Sequence, residues 1–238
     1  MIDAHLRRLR KRDTISAAEE RAIRGLVSET RRVRAHEVLI RKDQLLDHSI
    51  LLIDGWLGRA VDLQSGVRVF TEVHVAGDFA DLHGFSLKRL DHDVVALAES
   101  LIALVPHDRL TRLARDFPRL MRIYWFSTNV DAAIHRQWIV SVGRSAASRM
   151  AHLFCELFLR LEAAGVAGDP SFDFPLTQDQ LASCLNLTPV HVNRTLQVLR
   201  RQSLVELDNK RLAILDFPAL RQVAEFDPAY LYLEREPR

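Results

Sequence analysis

Residues 189–201 carry the side chains that are best suited to bind a polyanion. At helical spacing, one face of this segment presents Val190, Arg194, Gln197 and Arg201, and no acidic residue. A guanidinium group on such a face can donate hydrogen bonds to phosphate oxygens or to the edges of bases. The opposite face is apolar, so we expect it to pack inward.

Local signals around this segment predict a helix-turn-helix. Thr177 and Gln180 have the spacing of a capping box at the start of a first helix. Asn186 can adopt the left-handed conformation of a tight turn. Thr188-Pro189 then provides a hydroxyl cap and a proline at the first position of a second helix. Residues 204–215 follow as two apolar runs around a polar tip, so helix, turn, helix and hairpin predict a winged helix-turn-helix rather than an ordinary helical hairpin.

A winged helix-turn-helix implies that double-stranded DNA is the partner. The expected interface combines the start of the first helix, the outer face of the second helix and the tip of the wing. Its predicted residues are Thr177, Gln178, Thr188, Pro189, Val190, His191, Asn193, Arg194, Gln197, Lys210 and Arg211.

Upstream, the sequence predicts a small antiparallel barrel or sandwich behind an N-terminal helix at residues 16–30. Short β-rich runs alternate with turn dipeptides such as Asp54-Gly55 and Gly77-Asp78. The predicted strands are residues 49–53, 57–63, 67–75, 94–98 and 101–105.

Four histidines, at positions 74, 83, 92 and 107, fall in or near this β-rich region. No pair forms His-x-His or His-Glu-x-x-His, so local spacing positions no pair for a metal or for haem. We therefore expect surface or hydrogen-bonded structural histidines and predict no metal site. The rival hypothesis is a cupin-like metal-binding protein or metalloenzyme with a structural C-terminal module, which needs histidines and a carboxylate gathered on adjacent strands.

Residues 119–165 predict a long helix with more apolar faces than one small barrel can cover. Its spare stripe predicts a second copy of the chain as partner, and the helix is expected to bend or break near Gly143. Residues 165–170, rich in glycine and ending in proline, predict a linker. The predicted parts are a sensor domain with its N-terminal helix at 1–118, a dimerisation helix at 119–165 and a DNA-binding domain at 171–238.

Composition narrows the class of protein. The only cysteines are Cys155 and Cys184, which excludes a disulfide framework, a four-cysteine zinc site and an all-cysteine iron–sulfur cluster within one chain. We interpret both as core residues of a protein in a reducing cytoplasm. No apolar run is long enough to span a bilayer, so no membrane partner is expected. The arginine-rich residues 7–12 predict a solvated arm.

Residues 176–199, with the sequence LTQDQLASCLNLTPVHVNRTLQVL, resemble the DNA-binding motif of the CRP/FNR regulators. The β-rich region resembles the family's cyclic-nucleotide-binding-type β-roll, with Gly77-Asp78-Phe79 in place of Gly-Glu-Leu. Gly143-Arg144 resembles the family's motif within its dimerisation helix. The resemblance covers nearly the whole chain. It implies an α+β fold with an N-terminal antiparallel, jelly-roll-like β-roll, a long helix and a C-terminal winged helix-turn-helix. It also implies a homodimeric transcription regulator that binds an inverted-repeat operator and contacts RNA polymerase.

The recognition helix departs from the family pattern. Pro189-Val190 stands where well-studied members carry Arg-Glu, and only Arg194 of that trio is kept. Thr188 matches the hydroxyl residue that touches phosphate. The operator is therefore expected to differ, with His191 or Asn193 sharing in its recognition.

The sensor departs further. A cyclic-nucleotide site of this family needs a carboxylate for the ribose and an Arg-Ser-Ala or Arg-Thr-Ala run for the phosphate. Asp78 can replace the carboxylate, but the phosphate motif is absent, so cyclic AMP is disfavoured. Another cyclic nucleotide, haem or another small effector remains open, and no cofactor is predicted. The candidate effector-binding residues are Gly77, Asp78, Phe79, Lys88, Arg89, Asn129 and Val130.

Overall fold

The computed structural model describes residues 1–168 and 170–234. Asp169 of the predicted linker and residues 235–238 of the predicted DNA-binding domain lie outside this description. The helices are Asp3–Arg12 (α1), Ala17–Arg24 (α2), Gly84–Leu87 (α3), His107–Asp116 (α4), Pro118–Ser141 (α5), Ala146–Ala163 (α6), Gln178–Leu185 (α7), Pro189–Arg201 (α8) and Phe217–Ala224 (α9). The strands are Glu29–Val33 (β1), Val38–Ile40 (β2), His48–Asp54 (β3), Leu57–Asp62 (β4), Arg68–His74 (β5), Asp93–Ala96 (β6), Ser100–Pro106 (β7), Ser171–Asp173 (β8), Val205–Asp208 (β9) and Arg211–Ile214 (β10).

Seven strands form the N-terminal β-roll as two antiparallel sheets, with the orders β1-β7-β3 and β2-β6-β4-β5. Their inward side chains build one apolar core that includes Ile50, Leu57, Val94 and Ile102. The predicted antiparallel β-structure is confirmed, and β3 to β7 match the five predicted strands within a few residues. β1 and β2 were not predicted. Four of the five residues of β1 are exposed, so this strand lacks the alternation that marks a half-buried strand.

The N-terminus differs from the predicted arm. Residues 3–12 form α1, which buries Leu6 and Leu9 against α5 and the sensor core. Arg7 Nε donates to the Ala164 carbonyl oxygen at 2.7 Å, so part of the arginine-rich run anchors the helix. The helix predicted at residues 16–30 is α2, and it is shorter than expected, because it ends at Arg24 and the chain then pairs with β7 from Glu29 onward.

The predicted long helix breaks near Gly143, as expected from this glycine. α5 ends at Ser141, and Ser145 caps α6 by accepting a hydrogen bond from the Ser148 amide. Most of α6 is buried within the same chain, since it packs against the sensor on one side and against α8 and α9 on the other. The outward-facing stripe of the predicted dimerisation helix therefore belongs to α5 alone.

The C-terminal part contains α7, α8 and a three-stranded sheet of order β8-β10-β9. Asn209 and Lys210 have φ angles of 46° and 60° and close the β9–β10 hairpin, which is the predicted wing. β8 was not predicted as a third strand. Among the described residues, no helix combines the length and apolar character needed to cross a membrane.

Candidate DNA-binding surface and sensor interior

The helix-turn-helix is built by the local interactions that the sequence indicates. Thr177 and Gln180 form a complete capping box at the start of α7. Asn186 ends α7 in the left-handed conformation, with φ 50° and ψ 51°. Thr188 then caps α8 by accepting a hydrogen bond from the His191 amide at 3.3 Å. These contacts define where α7 ends and where α8 begins through residues that are close in the sequence.

The two faces of α8 separate as predicted. Val192 and Leu199 are buried in the core, whereas Arg194 and Gln197 are exposed and Val190 is 72% exposed. The eleven residues predicted at the DNA interface are all exposed. They cluster at the start of α7, along α8 and at the tip of the wing. None of the eleven is acidic, and Arg194, Lys210 and Arg211 among them are cationic.

Two of these residues form a side-chain pair that the sequence did not indicate. The side-chain Nε2 of Gln178 donates to Asn193 Oδ1 at 3.0 Å, and Asn193 Nδ2 donates to Gln178 Oε1 at 2.9 Å. The reciprocal pair joins α7 to α8 on their exposed side. Each amide keeps one N–H and one oxygen lone pair free for another partner.

The predicted effector residues do not all meet. Gly77, Asp78, Phe79 and Val130 line one cavity of about 110 Å³ between α1, α5 and residues 231–233. Lys88 and Arg89 lie at the surface beyond α3, and Asn129 lies on the exposed face of α5. The structure thus gathers four of the seven candidates and leaves three elsewhere.

Asp78 is already engaged by the protein itself. Its Oδ2 accepts from the Val75 amide at 2.8 Å and from Arg160 Nη2 at 2.8 Å, and Arg8 pairs with Oδ1. α1 also covers Gly77, because His5 Nδ1 donates to the Gly77 carbonyl oxygen at 2.9 Å. A ribose hydroxyl would have to displace these partners before it could reach the carboxylate. Sequence reasoning missed this pairing. The signal that could have revealed it is the helical spacing of the basic residues in α1, which turns Arg8 inward.

The space between β5 and α5 holds a buried charge network centred on Arg59, which sequence reasoning missed. Arg59 is 3% exposed, and its guanidinium lies 2.9 Å from Glu72 Oε2 and 2.7 Å from Asp131 Oδ2. Its Nε donates to the Ala80 carbonyl oxygen at 2.9 Å. Burial and the neighbouring Asp131 hold the pKa of Glu72 well above its usual range, although Arg59 acts in the opposite direction. Burial and the charge of Arg59 lower the pKa of His83 to about 3.

The helix-turn-helix docks on the sensor sheet of the same chain. Ser183 of α7 accepts a hydrogen bond from the Phe70 amide at 3.0 Å and donates to the Arg68 carbonyl oxygen at 2.8 Å. Gln180 Nε2 donates to the Leu97 carbonyl oxygen at 3.1 Å. β5 therefore contacts the DNA-binding part at one end and carries Glu72 at the other.

An exposed stripe runs along α5 with the 3-4 spacing of a heptad seam. Its members are Arg122, Trp125, Asn129, Ala132, Arg136 and Ile139. Trp125 and Ile139 are 69% and 73% exposed, so the stripe presents large apolar side chains to the outside. The apolar members recur every seven residues and the polar members lie between them.

Comparison with known proteins places both halves of the chain. A model of the cyclic nucleotide-binding domain matches residues 30–117, and a model of the Crp-like helix-turn-helix domain matches residues 148–223. The transcriptional regulatory protein btr of Bordetella pertussis is 23% identical over 87% of this chain and 86% of its own length. The transcriptional activator protein FnrL of Cereibacter sphaeroides is 23% identical over 88% of this chain and 86% of its own.

A solved structure shares the fold. FixK2 from Bradyrhizobium japonicum superposes with a TM-score of 0.75 at 20% identity, covering 83% of this chain and 98% of that one. The predicted resemblance is thereby confirmed, and the cupin-like enzyme is not favoured. With a cyclic-nucleotide-binding-like β-roll, a Crp-like helix-turn-helix and regulators as its relatives, this chain belongs to the CRP/FNR family of transcription regulators.

Proposed function

We propose that this chain acts as a homodimer that binds an inverted-repeat operator and controls transcription in response to a signal at the sensor domain. The observation that carries the proposal is the outer face of α8, where Arg194 is exposed and no acidic side chain occurs. Such a face fits the major groove of DNA, where the two α8 helices of a dimer would lie about one helical turn apart.

The DNA contacts divide into positioning and recognition. Thr188, at the N-terminus of α8, is placed to contact a phosphate, because helix N-termini attract anions. Arg194, His191 and Asn193 project where base edges would lie. Lys210 at the wing tip would add a phosphate contact. Each phosphate contact makes the affinity for DNA fall with rising salt.

The exposed stripe of α5 supports the homodimer. Trp125, Ala132 and Ile139 recur at seven-residue intervals, so two parallel α5 helices would bury one continuous seam. Asn129 between them can fix the register at some cost in stability.

The sensor proposal follows from what fills its interior. The network around Arg59 and the engaged carboxylate of Asp78 argue against cyclic AMP, which would need that space and that carboxylate. A small effector in the cavity lined by Gly77, Asp78, Phe79 and Val130 would shift α1 and α5. This shift would change the relative position of the two helix-turn-helices in the dimer. In this proposal the protein is cytoplasmic and acts by binding DNA and RNA polymerase, not by catalysis. Its sensor domain comprises residues 1–118, its dimerisation helix residues 119–165 and its DNA-binding domain residues 171–238.

Selection of bound duplexes from a random pool tests the DNA proposal. We expect a two-fold symmetric consensus, and Arg194→Ala should weaken binding to it by about 1–3 kcal/mol in fluorescence anisotropy. Arg115→Ala is the matched control, because Arg115 is an exposed arginine on α4 paired with Asp116. Recovery of no symmetric site, or equal losses in the two variants, would refute sequence-specific binding through α8.

Sedimentation equilibrium tests the dimer. Ala132→Glu places a charge in the middle of the α5 seam and is expected to yield monomers at concentrations where the wild type is dimeric. Ala18→Glu changes an exposed alanine of α2 in the same way and should leave the dimer intact. A dimer that persists in Ala132→Glu would move the interface away from α5.

A further inference from the structure

Two pairs of metal-ligating side chains face each other across the space between β5 and α5. Glu72 and His74 lie two residues apart on one face of the strand, and Asp131 and His135 lie one turn apart on the helix. Glu72 Oε2 lies 3.2 Å from His135 Nε2 and 3.9 Å from His74 Nε2. Ligand atoms of Glu72, Asp131 and His135 all lie within 4.8 Å of one another.

His74 provides an independent observation. Its side chain is 1% exposed, and its Nε2, which points at Glu72, is buried without a hydrogen-bond partner among the described residues. Buried polar atoms in native proteins almost always have a partner, because leaving one unpaired costs about 1–3 kcal/mol. A neutral imidazole with a free nitrogen lone pair is a metal ligand.

The surrounding charges favour a cation. The connected network contains the carboxylates of Glu72, Asp78, Asp131 and Glu156 and the guanidinium groups of Arg8, Arg59 and Arg160. Four carboxylates thus face three guanidinium groups in a buried region. Glu72 and Asp131 share the guanidinium of Arg59, and their oxygens would attract an additional cation.

Arg59 is the internal competitor for this position. Its Nη1 and Nη2 contact Glu72 and Asp131, the same carboxylates that would ligate an ion. The Arg59 side chain has other partners, since Nε donates to the Ala80 carbonyl oxygen and Nη2 lies 3.4 Å from His83 Nδ1. These contacts would remain available to Arg59 if an ion took over the two carboxylates.

We propose that Glu72, His74, Asp131 and His135 form a binding site for a divalent first-row transition metal ion in the sensor domain. Two imidazoles and two carboxylates are donors that Zn²⁺ and Fe²⁺ accept. With bond lengths of about 2.0–2.2 Å, ligand atoms of one tetrahedral ion lie about 3.3–3.6 Å apart. The ligand atoms of Glu72, Asp131 and His135, now within 4.8 Å of one another, would draw together around the ion. The ion takes the place of the two Arg59 contacts.

The position of the site gives it a regulatory consequence, which rests on the proposed function. β5 also holds α7 through Phe70 and Ser183, and α5 carries the proposed dimer seam. An ion that bridges β5 and α5 would link the docking of the helix-turn-helix to the dimer helix. Metal binding is therefore expected to change the affinity of the protein for its operator.

Metal titration of the tag-free, full-length protein tests the site. After chelator treatment, Co²⁺ should give saturable visible ligand-field bands, and Zn²⁺ calorimetry should show one ion per protomer. His135→Gln and Asp131→Asn should each weaken Zn²⁺ binding about tenfold or more. His107→Gln is the matched control, because His107 is a buried histidine of the same domain that contacts Ser49 instead. Its affinity for Zn²⁺ should equal that of the wild type.

His135 is 33% exposed, so His135→Gln is expected to fold, and circular dichroism verifies this. Absence of saturable Co²⁺ and Zn²⁺ binding to folded wild type would overturn the site. Wild-type affinity in folded His135→Gln and Asp131→Asn would also overturn it. Operator binding with and without Zn²⁺ is measured separately. Metal binding without specific DNA binding would support the metal site and refute the proposed function. Specific DNA binding without metal binding would support the proposed function and refute the metal site.

Discussion

His152 offers a quantitative test of the buried interior, because its imidazole lies in α6 between two aromatic rings. The ring centroids of Phe226 and Tyr230 lie 5.0 Å and 5.9 Å away, and the side chain is 3% exposed. Burial, with a smaller effect from Arg144, lowers the pKa of His152 to about 4. In the unfolded chain the same imidazole titrates near pH 6.5.

The sign of the pH effect follows from proton binding. Below about pH 6.5 the unfolded chain binds a proton at His152 that the folded chain does not, so stability falls as the pH falls. Between about pH 7.5 and pH 5, a folded-state pKa of about 4 makes this loss about 2 kcal/mol. His152→Phe keeps a ring between Phe226 and Tyr230 and removes the titration. Relative to wild type, the variant should gain about 2 kcal/mol of unfolding free energy over that range.

Urea unfolding, followed by tryptophan fluorescence at one protein concentration, measures this difference. Comparing the variant with the wild type at each pH cancels the contributions of titrating groups that both proteins share. One such group is Asp81, whose pKa is raised by burial to about 7. Leu161→Val is the control, because it perturbs the same buried helix without a titrating group and its effect should not depend on pH. A His152→Phe difference that stays constant between the two pH values would refute the assignment of a neutral buried imidazole.

Three further predictions concern the charge network and the helix-turn-helix. Arg59→Gln should lower the unfolding free energy by about 3–5 kcal/mol near pH 8, because it leaves the buried Glu72 and the half-buried Asp131 without their counter-ion; a loss below 1 kcal/mol in urea unfolding would contradict this. Thr177→Ala should cost about 1 kcal/mol in the same assay through loss of the capping box, whereas Thr177→Ser should cost little. Gln178→Ala and Asn193→Ala should be non-additive in a double-mutant cycle, with a coupling of about 0.5–1.5 kcal/mol, and strict additivity would show that the amide pair does not form in solution.

The helix-turn-helix could be predicted because its determinants are local. The capping box of Thr177, the left-handed Asn186 and the Thr188-Pro189 helix start each act within a few residues. The five central strands of the β-roll could be predicted for the same reason, since alternation and turn residues are visible in short windows. β1 could not, because its exposed charged residues become a strand only by pairing with β7.

The sensor site shows the opposite case. The sequence contains Glu72-x-His74 and Asp131-x-x-x-His135, in which both side chains share one face of a strand and of a helix, respectively. The sequence does not show that the two pairs lie next to each other in the folded protein. Asp78 could be recognised by its place beside Gly77, whereas its partners Arg8 and Arg160 come from α1 and α6, which lie far from it in the sequence on either side.

The sequence alone determined the two helices and the turn of the helix-turn-helix and which of their side chains face outward, because hydrogen bonds and helical periodicity act over a few residues. Only the tertiary structure decided that Arg59 lies between Glu72 and Asp131, and that α1 covers Gly77. The physical reason is that a buried charge is tolerable only with a partner, and that partner is set by how distant elements pack rather than by neighbours in the chain.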